Sequence, residues 1–134
     1  MNCPCLSGAE LKTCCEPFIN GQELATSPEV LMRSRYVAYC QKNIDYIEET
    51  TDPQASLDFD REAALEWMNE AEFTKLEILN STNEGNKGTV EFKAYFRTKE
   101  GEEIHHEVSK FRKQNGQWYF RDGRVKDPAA QAKN

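Results

Sequence analysis

Between residues 27 and 70 apolar side chains recur every three to four positions, and beyond residue 72 they recur at every second position. The first spacing marks amphipathic helices and the second half-buried strands, because one face repeats every 3.6 residues in a helix and every 2 in a strand. Ser27-Pro28-Glu29 supplies a capping hydroxyl, a proline whose missing N–H costs nothing in the first turn, and a carboxylate at the positive helix end. It predicts a helix from residue 27 to about Lys42. A second helix, Asn43 to Thr50, turns Ile44 and Ile47 inward and stops at Asp52-Pro53; a third, Asp60 to Asn69, carries Leu65, Trp67 and Met68. Residues 73–80, 88–98, 103–113 and 117–123 alternate as four strands, joined by STNEGNK, KEGE and QNG, each with a glycine suited to a reversing turn. Residues 16–26, with Pro17 and Gly21, read as a linker, and 125–134 as a mobile tail with little to bury. Helices followed by hairpin-joined strands make an α+β domain.

Composition narrows the class. The 134 residues are 38% hydrophobic and 30% charged, with two Trp, five Tyr and seven Phe, enough for one core. No stretch approaches the ~20 apolar residues of a spanning helix, and no basic segment leads into an apolar one at the start, so a cytoplasmic protein with no membrane contact is expected. The formal charge of −6 disfavours nucleic acid, whose binding relies on a basic surface. Lys110, Arg112, Lys113 and Arg121, Arg124, Lys126 read as solvated strand edges.

Four of the five cysteines crowd the start of the chain. Cys3, Cys5, Cys14 and Cys15 have the form C-x-C-x8-C-C, while Cys40 falls in the helical pattern as a small buried hydrophobe. A turn at Ser7-Gly8 and a short helix from Ala9 to Thr13 would return the second pair to the first. Four thiolates about one point favour tetrahedral Zn²⁺, although spacing alone leaves an iron–sulfur centre open. Disulfides are disfavoured by a reducing compartment, by the odd cysteine total and by the strain of an adjacent pair. A fully ligated ion is a structural brace with no open position for a substrate.

One charged residue interrupts an apolar face. Helical placement sets Arg35 among Leu31, Met32, Tyr36 and Tyr39, where a guanidinium requires an anion. On the strand 104–111, His105, Glu107, Ser109 and Phe111 share the inward side, which makes Glu107 the expected partner and Asp122 the second choice. Such a clamp fixes docking and has no chemistry of its own, and an arginine-bound carboxylate makes a poor base near neutrality. His105 and His106 face opposite ways on a strand and form no chelate.

CPCLSGAELKTCC at residues 3–15 resembles the SEC-C zinc motif, best known from the carboxyl end of the preprotein translocase ATPase. Together with LMRSRYVAY at 31–39, HHEVSKF at 105–111 and GQWYF at 116–120, it resembles the YchJ family of bacterial proteins. The resemblance implies a SEC-C motif at 1–20, a nuclear-transport-factor-2-like cone at 27–124 and, past it, the tail. It departs at Leu6, where the motif has glycine, and many longer relatives carry a second cysteine motif at the far end.

Three function classes follow. The first is an adaptor whose zinc knuckle meets an unidentified cytosolic protein or the ribosome, as the translocase motif does in outline. The second is a ligand binder or enzyme with Arg35, Tyr36, Tyr39, Tyr95, His105 and Glu107 lining a pocket at the cone's mouth. The third is RNA association through the basic strand edge.

Overall fold

The computed structural model describes residues 3–5, 8–53 and 60–125; Leu6, Ser7 of the expected turn, and the tail beyond Val125 lie outside the described residues. Four strands, β1 (Glu72–Glu84), β2 (Lys87–Thr98), β3 (Gly101–Gln114) and β4 (Gln117–Val125), form an antiparallel sheet in the order β1-β2-β3-β4. Two residues separate each strand from the next, so every strand pairs with its predecessor. Asn115 and Gly116 both take positive φ, 54° and 80°, the twist that suits a two-residue hairpin.

β1 runs four residues past its predicted end, because Asn83 and Glu84 pair with Gly88 and Lys87, and Thr82 Oγ1 meets Thr89 Oγ1 at 2.9 Å. That ribbon is exposed along β1, so no alternation announced it.

Among the described residues, four α-helices precede the sheet: α1 (Glu16–Ile19), α2 (Pro28–Cys40), α3 (Ile44–Glu49) and α4 (Arg61–Glu70). Side chains cap the last three as their sequences imply. Ser27 Oγ accepts from Val30 N at 3.2 Å, Asn43 Oδ1 from Tyr46 N at 3.1 Å and Asp60 Oδ1 from Ala63 N at 3.0 Å. α1 replaces part of the expected linker: Pro17 sits in its first turn, where proline starts a helix and does not break one.

α2 is the central element, packed on β1, β2 and α3. Gly88 lets it settle on the sheet, since a Cβ there would overlap Pro28 and approach Thr82 O to 2.6 Å. Leu31, Met32, Arg35 and Tyr36 are buried as expected, and so are Ser34, Val37 and Ala38, because α3 and the N-terminal segment cover the remaining sides. Ser34 Oγ donates to Leu31 O and lies 2.7 Å from Tyr46 Oη of α3.

Past α3 the chain joins the sheet edge beside β4. Phe120 N donates to Thr50 O and Asp52 N to Phe120 O, both at 2.8 Å. No helix among the described residues is long and apolar enough to cross a membrane.

Candidate metal centre and cone cavity

The N-terminal segment closes on itself through backbone contacts. Cys3 N donates to Ala9 O at 2.9 Å, and a 3-10 turn over Leu11–Thr13 hands the chain to Cys14, whose N–H returns to Leu11 O at 3.2 Å. Four sulfurs are thereby gathered: the Sγ atoms of Cys3, Cys5, Cys14 and Cys15 lie within 4.8 Å of one another. Sγ of Cys14 is 3.5 Å from that of Cys5 and 3.8 Å from that of Cys15. A tetrahedral ion with metal–sulfur bonds of ~2.3 Å holds its sulfurs about 3.8 Å apart, so the donor set fits a thiolate-bound metal. The same separations are well beyond a disulfide bond of ~2.05 Å, and no disulfide joins the cysteines.

Burial pushes the Cys3 thiol up to about 11, and the adjacent Cys5 sulfur together with burial raises Cys15 as well. Sulfurs crowded in this way become thiolates together only around a cation. Burial likewise lifts the half-buried Cys40 to about 11, which suits an inert thiol.

The tetrad is no appendage. Cys3, Cys5 and Cys15 share one apolar cluster with Leu31, Met32, Tyr36, Val37 and sheet residues such as Phe92 and Trp118. From α2, Arg33 Nη1 donates to Cys5 O at 2.7 Å while its Nε pairs with Glu29 at 3.0 Å. Arg33 carries no sequence signal beyond the i,i+4 spacing to Glu29, which reads as an ordinary surface pair.

Between α2 and the sheet a cavity of about 400 Å³ remains. Arg35, Tyr36, Tyr39, His105 and Glu107 line it. Tyr95 does not: it alternates with inward Ala94 and Phe96, so its hydroxyl lies on the outer face, donating to Glu77 Oε1 at 2.9 Å. Trp67, Phe73 and Ser109 line the cavity without having been singled out. The Trp67 ring lies 5.1 Å from Phe73, 5.4 Å from Tyr39 and 5.5 Å from His105. Helical spacing alone marks Trp67 as core; only the fold turns it toward an opening.

Arg35 does not grip Glu107. Its Nη1 donates to Thr50 Oγ1 at 2.7 Å and Ile47 O at 3.1 Å, with Thr51 Oγ1 at 3.5 Å, and the guanidinium stacks 4.5 Å from the Phe120 ring centroid. The end of α3 lies against α2 and offers oxygens closer than any carboxylate of the sheet. Glu107 instead has Oε1 2.7 Å from His105 Nε2 and accepts from Ser109 Oγ through Oε2. Burial pushes its carboxyl up, but those hydrogen bonds and the electrostatic pull of His105 and Arg35 outweigh that effect and hold it below the ordinary range. Burial lowers the Arg35 guanidinium and raises the Tyr39 hydroxyl.

Asp122 also lines the cavity but does not pair with Arg35. A bulge beside Phe111 shifts the parity of β4, so Gly123 stands opposite Ser109 and Asp122 opposite Lys110. His106 faces away from His105, its Nε2 2.8 Å from Glu91 Oε2.

Two cations expected at solvated strand edges are engaged as well. Arg112 Nε and Arg121 Nη1 lie 3.3 and 3.5 Å from Oδ2 of Asp52, whose side chain is fully buried. In the sequence Asp52 reads only as a helix stop.

A cysteine tetrad ahead of helices cupped by a curved antiparallel sheet defines a SEC-C motif joined to an NTF2-like cone. Residues 27–123 match the family model described as YchJ, middle NTF2-like domain. A UPF0225 protein of Geobacter sulfurreducens, GSU1048, is 43% identical over 124 residues, covering 90% of this chain and 77% of that protein. The solution structure of RPA3114, a SEC-C motif containing protein from Rhodopseudomonas palustris, is 48% identical with a TM-score of 0.89, covering 95% of this chain and all of that one. A SEC-C motif containing protein from Psychrobacter arcticus is 32% identical with a TM-score of 0.80, covering 93% of this chain and 82% of that one. The chain belongs to the YchJ (UPF0225) family.

Proposed function

We propose that this protein binds a small organic molecule in the cone cavity and that a structural Zn²⁺ in the cysteine tetrad braces the helix above it. The observation that carries this reading is the cavity itself, about 400 Å³ with an aromatic wall and a few convergent polar groups. Sites for small ligands have that size and that mixture. The tetrad supports the brace, since it shares an apolar cluster with α2, is tied to it through Arg33 and Cys5 O, and offers an ion four sulfurs. Sulfurs held this close without a disulfide suit a reducing cytosol.

Titration of the isotope-labelled protein with a panel of neutral and charged aromatic fragments tests the cavity. Amide shifts should gather at residues 35–39, 67 and 105–109. Binding confined to other surfaces would overturn the reading. Elemental analysis of gently purified protein should find one zinc per chain.

A second reading, contact with a protein partner or the ribosome, draws on the outward side of the tetrad segment, where Glu10, Lys12 and Thr13 are exposed. Capture of a defined partner by the intact protein and not by Cys14→Ser would favour it.

A further inference from the structure

The hydrogen-bonding capacity left over in the cavity wall separates one class of ligand from the others. Each Glu107 oxygen already has a partner, one meeting His105 Nε2 at 2.7 Å and the other accepting from Ser109. Arg35 has a surplus. All of its hydrogen bonds leave from Nη1 and reach uncharged oxygens of Ile47, Thr50 and Thr51. Its Nε and Nη2 donate to no described residue, and no carboxylate among the described residues comes within 4 Å of it. The residue is only 5% exposed and lines the cavity. Tyr39, one helical turn along, brings a hydroxyl to the same space with no hydrogen-bond partner among the described residues.

A buried cation without an anion is costly, and a guanidinium presents a planar fork that matches a carboxylate. The rings of Trp67, Phe73 and Phe92 give the cavity a flat apolar side, while Asp60, Asp122 and Arg121 complete its lining. We propose that the cavity receives a small aromatic carboxylate, whose carboxylate meets Arg35 and Tyr39 and whose ring lies against Trp67, Phe73 and Phe92. This rests on the cavity reading above and names its ligand class. The ionised Glu107 opposes an anion. It opposes less than Arg35 attracts, because both Glu107 oxygens are already hydrogen-bonded while most of the Arg35 donors are not. A cationic ligand placed there would be repelled by the Arg35 guanidinium and would leave its Nε and Nη2 donors unused.

Three probes of one shape decide the matter: 2-naphthoate, 2-naphthalenemethanol and 2-naphthylmethylammonium, each titrated into the metal-loaded full chain and followed by amide and arginine Nε–H resonances. The carboxylate should bind about tenfold or more tightly than the alcohol, and the ammonium more weakly than either. The Arg35 Nε–H signal should move with naphthoate and stay put with the alcohol. Tyr39→Phe should weaken naphthoate and leave the alcohol unchanged. Arg35→Met should erase the preference, and the Nε–H signal carries the same information if that variant fails to fold. Equal or tighter binding of the alcohol or the ammonium overturns the carboxylate assignment and leaves the cavity reading standing. Failure of all three to shift residues of the cavity overturns both.

Discussion

Gly123 occupies a place where any side chain would overlap the carboxylate of Glu107. A Cβ there meets Oε2 and Cδ first, and Cγ at 3.2 Å. The bulge in β4 brings Gly123 inward, and the missing side chain leaves room for the carboxylate held by His105 and Ser109.

Gly123→Ala should therefore destabilise the protein by about 1–3 kcal/mol, since Glu107 is anchored at both oxygens and cannot swing aside freely. In a Glu107→Ala background the same substitution should cost much less. Urea denaturation of the four proteins of this cycle measures the difference, and equal costs in both backgrounds would mean that the overlap is relieved elsewhere.

The acid limb of the stability curve should depend on Glu107. Its folded pKa lies below its ordinary value of 4.5, so the stability it contributes is complete above that value and is lost as pH falls through the folded pKa. Thermal melts from neutral pH downward should show the gap between the native protein and Glu107→Gln closing below the ordinary carboxylate range. A gap constant down to the most acidic melt would rule out this role for Glu107. His105, Arg35 and Tyr39, the charged or titratable groups that act on this carboxyl, stay in place in both proteins.

Removing the metal should loosen more than the first residues. Because Cys3, Cys5 and Cys15 share a cluster with α2 and the sheet, and Arg33 ties Cys5 O to α2, chelation is expected to cost about 3 kcal/mol or more. Hydrogen exchange should report lost protection through α2 and β2 as well as in the tetrad segment. Loss restricted to residues 3–19 would mean that the segment is stabilised separately from the cone.

Arg35 should couple to Thr50 more strongly than to Glu107. The cycle of Arg35→Met with Thr50→Val is expected to show about 1 kcal/mol or more of interaction, and that with Glu107→Gln a smaller one, because only the first pair is hydrogen-bonded. The reverse order in equilibrium unfolding would restore the clamp expected from the sequence.

The helices, the strands and the cysteine tetrad were legible because each rests on local chemistry. Ser27, Asn43 and Asp60 cap the helices they precede, and alternation set Val90, Phe92 and Ala94 on the inner face of β2. His105, Glu107 and Ser109 were placed inward for the same reason. Pairings between distant segments were not legible. Thr50, Thr51 and Asp52 looked like the end of a helix and a stop, yet the first two hold Arg35 and the third holds Arg112 and Arg121. Tyr95 was misplaced because its aromatic ring suggested a pocket while its parity put it outside.

The sequence by itself determined the tetrad of sulfurs, the order of helices and strands, and which strand residues turn inward, since spacing, capping and pleat act over a few residues at a time. Tertiary structure decided what each polar side chain meets. Whether Arg35 finds a carboxylate or threonines depends on how closely α3 lies against α2, and whether Glu107 has room depends on one bulge in β4. Those distances emerge only when elements far apart in the chain are packed together.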